Sequence, residues 1–183
     1  MNEFLSFFHI GRHHIVDVRS IDHLLLVAAL CIRYLFSDWK KVVILISSFT
    51  VGNIAGMLVS SFHIFRLSGR WVEFLIPLTI VITAITNVFV KKFVYKQKYP
   101  PIYFLALFFG FIHGLSLHPY SFIQFAGFNI GIEVGQLLVV LAILLLTFIC
   151  INIFKINRRE YILFLSGGVL AVALQMALQR MPF

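Results

Sequence analysis

Asn129, Glu133 and Gln136 stand at i, i+4 and i+7 in a stretch that is otherwise apolar, so on a helix they share one face. A carboxylate about ten residues inside a membrane-length apolar segment is expensive to bury, and such groups mark ion pathways or binding sites. No Lys or Arg falls at the depth of Glu133 in the predicted spans. An incoming cation, a proton or the imidazole of His113 must therefore neutralise it.

The seven histidines carry a second signal. Asp22 and His23 are adjacent at the mouth of an apolar run, His14 lies eight residues before Asp22, and His113 sits inside a later run. Imidazole nitrogen and carboxylate oxygen together suit borderline divalent cations such as nickel, cobalt, copper and zinc. Thiolate is absent from this set, because Cys31 and Cys150 lie far apart, form no CxxC pair and read as buried thiols. His13 is the adjacent alternative to His14. Asp22 serves equally well as a helix cap or as a ligand. His9, His63 and His118 read as interfacial anchors, and Glu73 as a cap.

The elements that must position these groups follow from composition. With 61% hydrophobic and 12% charged residues, the chain is not a soluble domain. Apolar runs of about 20 residues are long enough to cross a bilayer as helices. The expected fold is an all-α integral membrane protein. Residues 1–20 form an amphipathic interfacial helix and residues 21–183 a bundle of six transmembrane helices. The spans fall near 21–36, 42–65, 71–90, 102–117, 122–154 and 161–179. The fifth is too long for a straight crossing, so it is tilted or irregular near Gly127. Gly52, Gly56, Gly127, Gly131 and Gly135 read as packing devices. Thr50, Asn53, Asn129 and Gln136 are expected to line a pathway; Thr79, Thr83 and Asn87 either continue it toward the cytoplasm or serve, equally well, as interhelical hydrogen-bonding groups.

The net charge of +8 does not indicate nucleic acid, because Lys and Arg gather at span ends, where they act as topology signals. Lys40, Lys41, Lys91, Lys92, Lys96, Lys98, Lys155, Arg158 and Arg159 fall on one side; Arg12, Arg19, Arg66, Arg70 and Arg180 fall on the other. The positive-inside rule then puts both termini on the non-cytoplasmic side of a bacterial inner membrane. The short, charged first run does not read as a cleavable signal peptide. On this map every histidine lies on or toward the outer side, as a site loaded from outside requires.

The motifs resemble those of the HupE/UreJ family of membrane nickel permeases. The matching segments are His14-Ile15 with Asp22-His23-Leu24-Leu25, Asp38-Trp39-Lys40-Lys41 with Phe49-Thr50-Val51-Gly52, and Glu73-Phe74-Leu75-Ile76-Pro77. Phe109-Gly110-Phe111-Ile112-His113-Gly114 and the run from Phe128 to Gln136 complete the order. The resemblance implies a six-span protein that conducts nickel or cobalt without ATP, with His14, Asp22, His23, His113 and Glu133 at metal-handling positions. The second-span motif departs from the family pattern, since Asn53-Ile54 stands where the family carries His-Ser. Asn53 offers a carbonyl oxygen in place of an imidazole.

The leading expectation is a secondary permease for a divalent transition metal, with no permanently bound cofactor. Its uptake weakens as pH falls through the histidine range. Two alternatives are an intramembrane metal-dependent hydrolase and a transport-inactive membrane subunit of the same fold. A homo-oligomer or a membrane partner protein is compatible with the small-residue faces.

Overall fold

The computed structural model describes residues 2–17, 21–64, 67–89, 101–116 and 121–182. These form helices α1 (Glu3–Val16), α2 (Ile21–Cys31), α3 (Trp39–Ser61), α4 (Gly69–Phe89), α5 (Pro101–Gly114), α6 (Phe122–Phe148) and α7 (Arg158–Gln179), with no strand among the described residues. Four stretches are long and apolar enough to cross a membrane: Phe36–Ser61, Gly69–Phe89, Phe122–Ile153 and Arg158–Gln179. Ile21–Cys31 and Pro101–Gly114 are apolar but shorter. The basic connection with Lys91, Lys92, Lys96 and Lys98, together with Arg19, Arg66 and His118, lies outside the described residues.

Two glycine-lined crossings hold the bundle together. On α5, a Cβ at Gly110 would sit 2.0 Å from the Phe49 carbonyl oxygen, and one at Gly114 would sit 2.1 Å from that of Asn53. Gly52 and Gly56 of α3 are equally close to Leu107 and Phe111 backbone, so the two helices touch main chain to main chain in parallel. The second crossing joins α1 to α6. Gly127, Gly131 and Gly135 face the carbonyls of Phe4, Phe8 and Arg12 in turn, and Gly11 faces that of Phe128. The register rises together, so α1 also runs parallel to its partner. A helix forms where the interfacial one is expected, but it lies along the first half of α6, not apart from the bundle.

Two further expectations change. The first apolar run is helical only to Cys31, and Ile32 to Leu35 turn out of it, leaving Arg33 buried. α6 passes through Gly127 without a break and becomes irregular at its other end, in a π turn over Ile149–Ile153. Ser121 and Asn157 cap α6 and α7, their side-chain oxygens accepting from the Gln124 and Arg159 amides. Glu73 does not cap α4, because that helix begins four residues earlier at Gly69.

Candidate metal-handling site

His113 lies between the two glycines that clamp α5 onto α3, and the clamp buries it to 3% exposure. Its ring centroid is 5.2 Å from that of Phe49 and 5.4 Å from that of His23, edge-on to both. His23, in the first turn of α2, is in turn 4.5 Å from the ring of His14 near the end of α1. His14 is held from behind by Phe128 of α6, at 6.0 Å, a contact the α1–α6 crossing sets. Three imidazoles from three helices therefore form a row. They border a cavity of about 80 Å³ lined also by Ile15, Asn53, Ile76, Ser116 and Ile132. That is room for a small ion with a few waters.

The polar partners of these rings differ. The Nδ1 of His23 lies 3.1 Å from Oδ1 of Asp22, whose other oxygen accepts from Arg180 Nη1 at 3.2 Å. A carboxylate on Nδ1 fixes the tautomer that leaves Nε2 free as an acceptor, which is how metal-binding imidazoles are oriented. Asp22 thus sits behind His23. It also accepts the His23 backbone N–H, from inside the first turn of α2. His113 is the outlier: neither ring nitrogen has a hydrogen-bond partner among the described residues. A buried polar group without a partner costs free energy unless something else satisfies it.

Glu133 does not join this row. Its two oxygens accept from the hydroxyls of Ser47, at 2.8 Å, and Thr50. Thr50 also lies 3.2 Å from the Gln136 oxygen. Asn53 and Asn129 form the next layer, 3.4 Å apart, with Met57 sulfur near both amides. Of the four expected pathway residues only Asn53 lines the cavity, while Thr50 donates to Glu133 and Gln136 lies against Thr50. His113 is therefore not the neutralising partner of Glu133; two hydroxyls from α3 hold that carboxylate. Ser47 was not singled out from the sequence, although it sits one turn before Thr50 on the same face. Phe49 and Arg180 were missed too, the one an ordinary core aromatic, the other a charge counted only for topology.

The remaining histidines stand elsewhere. His13 is exposed and pairs with Asp17 at 3.6 Å, so His14 is the one that turns inward. His9 contacts Arg12 at the surface. His63 adopts a left-handed conformation (φ 58°) just past α3, with its ring on the Ser60 carbonyl, as a helix-ending residue does. Among the described residues no three His, Cys, Asp or Glu side chains already converge as a metal shell. The three rings stand edge to face, and pivoting about χ1 and χ2 is needed to point their nitrogens at one ion.

The chain matches the family described as HupE / UreJ protein over residues 1–180. No curated protein and no solved structure matches it. A match over nearly the whole length places the chain in the HupE/UreJ family, a family of nickel- and cobalt-transport membrane proteins and not of enzymes.

Proposed function

We propose that this HupE/UreJ protein is a secondary permease for a divalent transition metal, nickel before cobalt, which enters the cavity bordered by His14, His23 and His113. The observation that carries this reading is the buried His113, whose two ring nitrogens have no partner among the described residues and whose ring stands 5.4 Å from that of His23, itself 4.5 Å from His14. Neutral imidazole is a good ligand for nickel and cobalt, and an arriving ion satisfies the orphaned nitrogen. Asp22 positions His23 and supplies the negative charge that draws the ion inward. A site whose rings must pivot to close holds its cargo weakly, which suits release more than storage.

The fold supports a six-crossing arrangement in which α1 and α2 are two halves of the first crossing. α1 runs parallel to α6, and His14 near the end of α1 meets His23 in the first turn of α2. Interrupted helices that end at a mid-membrane site are the usual way transporters expose ligands to a passing ion. On this reading both termini lie on the non-cytoplasmic side of the inner membrane. The test is nickel flux into proteoliposomes, compared with cobalt, zinc and copper. The expected result is flux in the wild type that His113→Ala and His23→Ala abolish at unchanged protein levels. Wild-type flux in both variants would overturn the assignment.

A further inference from the structure

A row of buried polar side chains leaves the imidazole cavity and runs down α4. It begins beside Ile76, which lines the cavity, and continues through Thr79, Thr83 and Asn87, which are 3%, 0% and 1% exposed. The spacing of i, i+4 and i+8 keeps them on one face. Each threonine hydroxyl donates to a carbonyl of its own helix, Thr79 to Ile76 and Thr83 to Thr79, which leaves the oxygen lone pairs turned away from the backbone. Such oxygens offer a partly dehydrated cation a path through an apolar bundle.

At the far end of that row stands a guanidinium. Arg33 is 5% exposed, and its Nε donates to Asn87 Oδ1 at 2.8 Å. Its Nη2 donates to the same oxygen and, at 3.3 Å, to Thr86 Oγ1. The Asn87 amide reaches on to the Ala29 carbonyl at 2.6 Å, so Asn87 fastens both Arg33 and the end of α2. α7 closes over the group: Arg158 donates to the Arg33 carbonyl at 2.7 Å and Arg159 to the Val88 carbonyl at 2.5 Å. Arg33 follows His23 by ten residues and lies two residues past the end of α2 at Cys31. We infer that Arg33 is a charged gate on the metal's exit route, with Asn87 as the residue that positions it.

The inference rests on the permease reading above. The closed gate sets a positive charge at the end of this polar row, and a divalent cation leaving along it cannot pass without the guanidinium swinging aside. Two variants separate a charge gate from a structural tie. Arg33→Gln removes the charge, and Arg33→Lys keeps it while losing the planar fork that holds Asn87 and Thr86. Nickel flux in proteoliposomes, per reconstituted protein, is expected to rise at least severalfold in Arg33→Gln and to stay near wild type in Arg33→Lys. The melting temperature in detergent is a second readout that does not depend on transport, and both variants are expected to lower it because both lose the fork. If the two variants carry nickel alike, Arg33 is a structural tie and the gate is refuted. If the wild type carries no nickel, the permease reading fails and the gate falls with it.

Discussion

The geometry of the imidazole row depends on α3 and α5 touching at backbone distance, so a single methyl group in that contact is a sensitive probe. In Gly110→Ala the added Cβ would lie 2.0 Å from the Phe49 oxygen, 2.9 Å from its carbon and 3.0 Å from the Asn53 nitrogen. All three are main-chain atoms and none can rotate away. Ordinary contact begins near 3.4 Å, so the helices must part locally by about 1.4 Å. Forcing extra volume into a packed contact costs about 1–3 kcal/mol. His113 lies one turn further along, and metal–ligand distances tolerate only about 0.2 Å, so the displaced ring can no longer share an ion with His23. The expected outcome is a lower melting temperature in detergent and nickel binding too weak to detect by calorimetry. Gly168→Ala is the control. Nothing lies within 4 Å of its Cβ, so it is expected to bind nickel normally and to gain up to about 1 kcal/mol from helix propensity. The reasoning is refuted if Gly110→Ala binds nickel as tightly as the wild type, whether or not it melts earlier.

Asp22→Asn removes the carboxylate that fixes the His23 tautomer and is expected to weaken nickel affinity by about 10–100-fold; an unchanged calorimetric isotherm would show that Asp22 has no part in orienting the ring. Glu133→Gln, by contrast, is expected to leave nickel affinity within about threefold. The carboxylate hydrogen-bonds to Ser47 and Thr50 and does not line the cavity, and an amide replaces it with a net change near the ~1 kcal/mol of an ordinary hydrogen bond. A loss of metal binding in that variant would return Glu133 to the ligand set.

What the sequence made legible, and what it did not, divides along physical lines. The glycines at every fourth position of α6 announce a close helix partner by themselves, because a missing Cβ has no other use on a buried face. Which helix fills the face depends on packing between distant segments. That is why Glu3–Val16 reads as a surface helix in isolation and lies along α6 in the fold. His14, Asp22, His23 and His113 were recognisable through residue type and motif order, but the choice of His14 over His13 depends on which side of α1 meets Phe128. Glu133 drew attention as a mid-span acid. Its actual partners, Ser47 and Thr50, looked like common polar substitutions in an apolar helix. Arg33 was the hardest to place. Nothing in its place near the end of an apolar run singles it out, and only the helix stop at Cys31 turns it inward onto Asn87.

The ion pair between Asp22 and Arg180 decides one further property, the cost of loading the site. Arg180 follows α7 and places Nη1 3.2 Å from Asp22 Oδ2, so a positive group already rests against the carboxylate proposed to attract the metal. The arginine side chain is 35% exposed, so the pair is screened and contributes about 0.2–1 kcal/mol, as surface pairs do. An ion entering beside His23 shares the field of Asp22 with that guanidinium and must overcome its repulsion. Arg180→Gln frees the carboxylate and is expected to tighten nickel binding about two- to fivefold, with the gain shrinking as salt rises because the interaction is screened. Calorimetric titrations at low and high salt measure both quantities. The opposite result, weaker binding in Arg180→Gln at every salt concentration, would mean that Arg180 holds Asp22 in place on His23. It would then be part of the scaffold of the site and not a competitor for its charge.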